Sequence, residues 1–270
     1  TYGQITNTTN KRHTPEHIYT IWYTSHALVR GISYVACGKN HSIFVTKGIG
    51  LVYGCGNNEK GQLGIQNGKN KHSIPVRCPI MNVTIVACGN NHSVFLKKDK
   101  TVYSCGHNNV GQLGIGNNND KKTPQKLGIN NIKELDCGGN HTVFVRTDNI
   151  VYSCGNNNSG QLGINNTTNT NTPTRISSIT DVKNVKCGQE HSVFLKNNST
   201  VYSCGQNNHG QLGIGHNVNK NIPVKISIDG IVQIACGDKH TILLKNDKTV
   251  HSFGYNENGQ LGYVSRNSYR

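Results

Sequence analysis

The sequence has few charged and few aromatic residues for its length. Charged residues make up 15% of the 270 residues and aromatic residues 6%, and there is one Met and one Trp. Because a charged share of about 25% is usual, the polar surface must come from uncharged side chains, chiefly asparagine. No apolar run approaches the ~20 residues of a membrane span, so no transmembrane segment is predicted. With 31 glycines against six prolines, the composition indicates short strands and turns rather than long helices.

The charges that are present are mostly positive. Lys and Arg number 28 and Asp and Glu 13, a net charge of +15, which favours acidic partners such as nucleic acid, an acidic protein surface or anionic lipid. The alternative is that scattered lysines only keep the surface soluble. The sequence shows no secretory leader, and nine of the ten cysteines recur periodically, as small buried side chains do. We therefore expect free thiols and a cytoplasmic or nuclear location.

Three short patterns recur in the same order five times along the chain. Gly-Gln-Leu-Gly begins at five positions spaced by 49 or 50 residues: Gly61, Gly111, Gly160, Gly210 and Gly259. Cys-Gly-x-x-His begins, with nearly the same period, at Cys37, Cys88, Cys137, Cys187 and Cys236. Between them an apolar run ends in Cys-Gly or Phe-Gly, as at residues 52–56. A fixed period of about 50 residues identifies one structural unit repeated along the chain.

The second unit shows what each repeat contains. Three runs rich in β-forming residues, Ile85–Gly89, His92–Lys97 and Thr101–Gly106, predict three strands. Pro124–Ile129 predicts a fourth strand that starts with proline, as edge positions allow. Four strands in about 50 residues are typical of a propeller blade. We predict an all-β fold, a β-propeller of four-stranded antiparallel blades.

We expect one domain over residues 1–270, and the spacing of the patterns predicts where each blade begins and ends. The repeat units lie approximately at 31–80, 81–130, 131–180, 181–230 and 231–270 plus 1–20. Gly3-Gln4-Ile5 is similar to Gly-Gln-Leu-Gly and precedes Pro15. We therefore expect the N-terminal strand to close the last blade, giving five blades.

In this order over residues 31–262, the patterns resemble the repeats of the regulator of chromosome condensation family. The resemblance implies a β-propeller. Known members have seven blades, so the alternative is that the chain is part of a seven-bladed propeller. In the founding member one face binds the small GTPase Ran, and an inserted wedge hairpin promotes nucleotide release. No unit here contains a long insertion, so the resemblance implies GTPase binding more than exchange by that mechanism.

In an up-and-down blade successive turns lie at opposite ends, which predicts one variable face. The Cys-Gly-x-x-His turns and the Asn-rich turns before Gly-Gln-Leu-Gly share that face. Varied turns on a fixed scaffold are typical of a recognition surface. The candidate partner-binding residues there are Asn40, Glu59, Asn91, His107, Asn140, Glu190, His209, Lys239 and Glu257. Trp22, within about seven extra residues of the first unit, is a further candidate as an interface anchor or, alternatively, a plug at one end of the propeller.

The recurring Cys-x-x-x-His spacing admits two chemical interpretations, a zinc site and a Cys–His catalytic pair. Zinc needs about four converging ligands, whereas each unit offers one Cys and one His around a ring. Five near-identical copies also favour a structural role for the Cys and His residues over a single active site. We expect the histidines to hydrogen-bond neighbouring backbone and the cysteines to fill tight spaces, with no catalytic residue, no metal and no cofactor.

Three functions remain as hypotheses. The leading one is a non-catalytic, monomeric, protein-binding propeller that regulates a partner, with a small GTPase favoured because of the family resemblance. The first alternative is an active guanine nucleotide exchange factor for a Ran-like GTPase. The second is a tether that uses the positive charge to bind chromatin, an acidic protein surface or an anionic membrane.

Overall fold

A computed structural model describes residues 31–263 as nineteen strands in five antiparallel sheets, one sheet for each repeat unit. The strands are β1 Ile32–Cys37, β2 His41–Thr46, β3 Val52–Asn57, β4 Lys71–Cys78, β5 Val83–Cys88, β6 His92–Lys97, β7 Val102–Gly106, β8 Lys121–Lys126, β9 Ile132–Cys137, β10 His141–Arg146, β11 Val151–Gly155, β12 Thr170–Arg175, β13 Val182–Cys187, β14 His191–Lys196, β15 Val201–Gly205, β16 Lys220–Lys225, β17 Ile231–Cys236, β18 His240–Lys245 and β19 Val250–Gly254. This part of the chain contains no helix long and apolar enough to cross a membrane.

Each sheet follows the chain order, as in β5-β6-β7-β8. The first strands of neighbouring units contact one another, β1 with β5, β5 with β9, β9 with β13 and β13 with β17, so they lie innermost. The prediction of an all-β propeller with one blade per unit is confirmed. The fifth sheet has three strands within the described residues. The N-terminal strand predicted to complete it falls in residues 1–20, outside the described residues.

The fourth strand of the second unit lies earlier than predicted. β8 is Lys121–Lys126 instead of Pro124–Ile129, so Pro124 stands inside the strand rather than at its start. The pairing of β7 with β8 shifts register between Ser104 and Gly106. Because β8 pairs on one side only and the ladder is irregular there, the missing N–H of Pro124 is tolerated.

The apolar core lies between the units. Val94, Leu96 and Val102 of the second unit pack in one buried cluster with Leu135 and Phe144 of the third. Equivalent clusters join the first unit to the second, the third to the fourth and the fourth to the fifth. A unit therefore buries its apolar faces only by stacking on its neighbours, as in other repeat proteins.

Glycine ends the third strand of four units and stands one residue before the end of β3 in the first, because backbone approaches closely there. Gly106 has φ 110°, and a Cβ atom on it would lie 2.4 Å from the carbonyl oxygen of Asn91 and 2.7 Å from Cα of His92. The equivalent glycines of the other units have φ between 103° and 114°. The tight approach holds the two turns of one end of the blade together.

Candidate functional site

The two turns predicted to share a face lie side by side in every unit. The residue after the third-strand glycine donates its backbone N–H to the carbonyl of the residue before the repeat histidine. The N···O distances are 2.8 or 2.9 Å in five pairs: Asn57 to Asn40, His107 to Asn91, Asn156 to Asn140, Gln206 to Glu190 and Tyr255 to Lys239. We call this end of the blades the turn face. The turns between the second and third strands lie at the opposite end.

Asparagine side chains make the turns before Gly-Gln-Leu-Gly rigid. Asn108 is fully buried, its Oδ1 accepts the N–H of Leu113 at 2.9 Å, and its Nδ2 donates to the carbonyl of Asn117 at 2.7 Å. Asn58, Asn157 and Asn207 make equivalent pairs of bonds. Because both ends of each amide are satisfied, the turn tips are held in place before any partner arrives.

The repeat histidines hydrogen-bond side chains of the next unit. His92 Nε2 lies 3.2 Å from Thr142 Oγ1, and that hydroxyl donates to the carbonyl of Gln112 at 2.8 Å. Three further junctions repeat this arrangement with His–hydroxyl distances of 2.9 to 3.0 Å: His41 with Ser93, His141 with Ser192 and His191 with Thr241. We call each repeat histidine, together with the Ser or Thr hydroxyl that it contacts in the next unit, a clasp. The expectation that these histidines bond neighbouring backbone was wrong, because the Ser or Thr hydroxyl stands between the ring and the carbonyl.

Burial keeps the clasp histidines neutral. It lowers the pKa of His41 and His191 to about 4 and that of His92 and His141 to about 3. Their Nδ1 atoms are buried without a hydrogen-bond partner. No group of three His, Cys, Asp or Glu side chains within residues 31–263 is arranged to hold a metal ion. The geometry gives these rings a structural role.

The recurring cysteines fill confined spaces next to the clasp. Cys105 is fully buried, and its Sγ lies 3.7 Å from the carbonyl oxygen of Gln62 in the preceding unit. Burial raises the pKa of Cys105 well above its ordinary value, so the thiol stays protonated and is a poor nucleophile. All ten cysteines are free thiols.

Three candidate residues of the turn face converge on one tyrosine. The rings of His209 and Tyr255 meet edge to face, with centroids 4.9 Å apart. Lys239 Nζ lies 5.8 Å from the centroid of the Tyr255 ring. The Tyr255 hydroxyl donates to Glu257, a hydrogen bond that raises the pKa of the tyrosine. His209 belongs to the fourth unit and the other three residues to the fifth, so this group, here called the Tyr255 cluster, spans a junction.

Sequence reasoning missed Tyr255 itself. It occupies the position after the third-strand glycine, where the other units carry Asn57, His107, Asn156 and Gln206. An aromatic residue at a position that is otherwise polar was the available signal. Only the packing of neighbouring units shows that His209 meets it.

Glu190 is held between two units. Its Oε2 accepts hydrogen bonds from Ser159 Oγ of the third unit at 3.2 Å and from Gln206 Nε2 of its own unit at 3.1 Å. Both donors are neutral, so they fix the carboxylate without neutralising its charge.

His107 belongs to a charged group that joins the first two units. Its Nδ1 lies 2.9 Å from Asp120, which also accepts the N–H of Asn108 at 2.8 Å and lies 3.4 Å from Lys60 Nζ. Burial alone would raise the pKa of Asp120, but these hydrogen bonds and neighbouring charges together hold it below the ordinary value. Asp120 and Lys60 were absent from the sequence candidates.

The remaining candidates lie on the turn face without converging on one point. Asn91 Oδ1 is 3.5 Å from Gln62 Nε2, and Glu59 is exposed. Asn40 and Asn140 take part through their backbone carbonyls. Trp22 lies outside the described residues. That any of these residues binds a partner stays a prediction.

The axis of the propeller opens on the same face. A cavity of about 450 Å³ is lined by the Cys-Gly turns of all five units, including Gly38, Gly89 and Gly188. On the innermost strands, Lys186 Nζ lies 3.8 Å from Glu134, and Asp136 accepts the backbone N–H of Cys187 at 2.8 Å. Burial would lower the pKa of Lys186, but the carboxylates of Asp136 and Glu134 outweigh it and raise that pKa.

Comparison with known proteins gives one family and a set of shared folds. A family model described as an RCC1-like domain matches residues 1–269. The human X-linked retinitis pigmentosa GTPase regulator is 43% identical over 68 residues, which are 23% of this chain and 6% of that protein.

Two solved structures share the propeller at 24% identity. The crystal structure of human WBSCR16 superimposes with a TM-score of 0.77, covering 85% of this chain and 64% of that one. Prp20p from Saccharomyces cerevisiae superimposes with a TM-score of 0.73, covering 83% and 58%. The chain therefore spans about three fifths of these structures and a small part of the curated relative.

Proposed function

Because the chain belongs to the RCC1-like domain family, we propose that it is a non-catalytic binding module whose turn face holds a protein partner, with a small GTPase favoured. The curated relative is named as a GTPase regulator, and the report on Prp20p names Gsp1p and histones as what it binds. These names supply the candidate partners. Binding would regulate the partner by stabilising one of its conformations.

The Tyr255 cluster is the observation that carries this proposal. A tyrosine ring presents a large contact area at low entropic cost, and Tyr and Arg are enriched among the residues that dominate binding energy. Around Tyr255 stand a histidine, the positive charge of Lys239 and the carboxylate of Glu257, all exposed side chains on rigid turns. The cluster can therefore contact a polar surface and bury an aromatic ring in its centre.

Affinity measurements with purified small GTPases test the proposal. The full chain is titrated against each GTPase loaded with GDP, loaded with a GTP analogue, or free of nucleotide. For the one that binds, Tyr255→Ala is expected to cost about 2 kcal/mol, roughly a 30-fold loss of affinity. Lys239→Ala is expected to lose several-fold.

Lys47→Ala is the matched control for Lys239→Ala. It removes the same charge from an exposed lysine in the turn between β2 and β3, at the opposite end of the blades. If Lys47→Ala weakens binding as much as Lys239→Ala, or if Tyr255→Ala binds like the unaltered chain, the turn face is the wrong surface.

A nucleotide-release assay separates passive binding from exchange. Glu190 is the acid at the position before a repeat histidine, and its two neutral donors leave its charge available. If the chain accelerates GDP release and Glu190→Ala abolishes that acceleration, the activity is nucleotide exchange and not binding alone. Binding without acceleration is the expected result.

The net charge of +15 supports a tether as the second candidate function. Binding to DNA or to anionic vesicles through lysines would fall steeply with salt, because counterions are released. Affinity that does not change between low and physiological salt would exclude the tether and leave the turn face as the binding surface.

A further inference from the structure

A second cavity, of about 470 Å³, lies between the second and third units. The side chain of Arg146 lines it, and its apolar walls are Ile115, Ile129, Tyr152 and Pro173. Its other boundaries are β12 and the segment after β8, and both of these strands are outermost in their sheets. The cavity therefore lies at the rim of the propeller, between two units that are complete within the described residues.

Arg146 has a donor left over at this cavity. Its Nη2 lies 3.1 Å from Asp148 Oδ2, its Nη1 lies 3.4 Å from the Tyr152 hydroxyl, and its guanidinium carbon is 5.9 Å from the centroid of the Tyr152 ring. Its Nε is buried and has no hydrogen-bond partner within residues 31–263. Because a buried N–H without an acceptor is unfavourable, an acceptor brought by a ligand would stabilise this side chain.

The charge around the cavity is positive. Arg175 pairs with Tyr152 across the ladder between β11 and β12, so the two side chains lie on the same face of the sheet. Arg175 is exposed and forms no ion pair with another residue of 31–263. Two arginines against the one carboxylate of Asp148 favour an acidic ligand.

Two residues that line the cavity differ from those at the other three described junctions. In place of Arg146 those junctions carry Lys97, Lys196 and Lys245, and in place of Gly128 they carry Pro79, Ser177 and Ser227. The blade is thus built equally well with lysine at the first position and with a larger residue at the second. Arginine, unlike lysine, can hold a carboxylate with two parallel N–H bonds.

The lining also leaves room for a peptide backbone. Gly128 is exposed, and a Cβ atom on it would meet nothing within 4 Å. The residues equivalent to Ile129, which are Ile80 and Ile228, donate their backbone N–H to the carbonyl two residues earlier at 2.8 Å, whereas Ile129 makes no such bond to Leu127. Its N–H is therefore available to the carbonyl of a ligand.

We propose that this cavity binds an extended acidic peptide of a partner protein. The peptide places an apolar side chain between Ile129 and Tyr152 and a neighbouring carboxylate on Arg146. Cavities of this size, with apolar walls and few polar groups, are typical of ligand sites. A peptide, unlike a small carboxylate, also supplies a carbonyl for Ile129. The site is separate from the turn face, so it does not depend on GTPase binding there.

Selection of peptides on the full chain tests the proposal without presupposing a sequence. A display library of random seven-residue peptides is the probe, and the selected peptides are expected to carry an apolar residue next to Asp or Glu. One of them is then synthesised with a fluorescent label, and its affinity for the chain and its variants is measured by anisotropy. A selection that enriches no such peptide would overturn the proposal.

Arg146→Gln is expected to weaken peptide binding at least about tenfold, because it removes the charge that faces the carboxylate. Lys196→Gln is the matched control: Lys196 lies 5.6 Å from the ring centroid of Tyr202 at the equivalent position of the next junction, and its loss should leave the affinity unchanged. A peptide that binds Arg146→Gln as tightly as the unaltered chain would contradict the assignment of the site.

Two further variants guard against loss of folding. Arg146→Lys introduces the residue that the other junctions carry and should weaken binding several-fold, because lysine cannot offer two parallel N–H bonds. Gly128→Leu fills the cavity and should abolish binding, while the backbone there is not left-handed and so accepts a side chain. Undiminished binding in either folded variant would also overturn the proposal.

Two comparisons fix the kind of ligand and its place. If phenylpropionate, an apolar carboxylate without a peptide bond, binds as tightly as the selected peptide, the ligand is a small molecule and the peptide assignment is wrong. Tyr255→Ala should leave peptide affinity unchanged, because Tyr255 lies on the turn face. Weakening by Tyr255→Ala equal to that by Arg146→Gln would place the peptide on the turn face instead.

Discussion

The Nε2 atom of His141 lies 3.0 Å from the hydroxyl oxygen of Ser192 in the following unit. That hydroxyl donates its proton to the carbonyl of Gln161 at 2.8 Å. A hydroxyl has one proton to donate, so it accepts from His141, and the ring must carry its proton on Nε2. The same reasoning fixes the tautomer at the other three junctions. The repeat histidine is thus a donor that ties each unit to the next.

Removing a clasp hydroxyl should destabilise the propeller. Ser93→Ala leaves the Nε2–H of His41 buried without a partner and leaves the carbonyl of Gln62 with only the weak thiol donor of Cys105. An unsatisfied buried group costs about 1–3 kcal/mol, so we expect a loss of roughly 1–3 kcal/mol in the free energy of unfolding. Urea denaturation followed by circular dichroism measures it.

Ser42→Ala is the matched control for this prediction. The same atom is removed in the first unit, where no histidine of residues 31–263 donates to it, and the expected change is below about 0.5 kcal/mol. Equal losses of unfolding free energy in the two variants would show that the clasp does not stabilise the propeller.

Stability should fall in mild acid because of the clasp histidines. Their folded pKa of about 3 to 4 lies below the unfolded value of 6.5. Above pH 6.5 both states are neutral and nothing is lost. As the pH falls below 6.5 the unfolded chain binds protons that the folded chain does not, which costs up to about 1.4 kcal/mol per pH unit for each histidine. Unfolding free energies at pH 7.5, 6 and 5 check this.

His141→Gln tests the assignment of that pH dependence. The glutamine amide can donate to Ser192 but does not titrate. Between pH 6 and 4 the free energy of unfolding of the variant should therefore fall less steeply with decreasing pH, by up to about 1.4 kcal/mol per pH unit. An unchanged slope would assign the acid sensitivity to carboxylates instead.

Alanine at Gly106 should be far more damaging than alanine at Gly116. Both have positive φ, 110° and 79°, but a Cβ on Gly106 would meet the Asn91 carbonyl at 2.4 Å, whereas a Cβ on Gly116 meets nothing within 4 Å. We expect about 1 kcal/mol of left-handed strain at Gly116 and more than about 3 kcal/mol at Gly106. Thermal denaturation of the two variants compares them directly, and similar melting temperatures would contradict the close backbone approach.

Thiol reactivity should divide the cysteines into two classes. Cys37 is exposed, whereas Cys105, Cys154 and Cys204 are fully buried and burial raises the pKa of each. An aromatic disulfide reagent should therefore modify Cys37 within minutes and the buried three only after unfolding. Mass spectrometry locates the modified residues, and rapid labelling of Cys154 in the folded chain would contradict this packing.

The sequence predicted most of the fold because each signal was repeated five times. The strand His92–Lys97 has the predicted bounds, since its alternation is flanked by a turn on either side. The fourth strand begins three residues before the predicted start at Pro124, because the register shift between Ser104 and Gly106 admits the proline inside the strand.

The site was predicted less completely, because its contacts join residues of different units. His92 and Thr142 are 50 positions apart, and only the stacking of blades brings them together. A signal existed, since Ser or Thr follows the repeat histidine in all five units. The meeting of His209 with Tyr255 had no such repeated signal, because each residue occurs at its position in one unit.

The clasp also bears on how such a chain could have grown. Every unit carries both halves of the tie, the histidine for the next unit and the hydroxyl for the previous one. A duplication or deletion of one whole repeat, 49 to 51 residues, therefore leaves every junction with a matching pair. Loss of part of a repeat separates the two halves at a junction. Unequal recombination in the gene can thus keep every junction matched only when it adds or removes whole repeats.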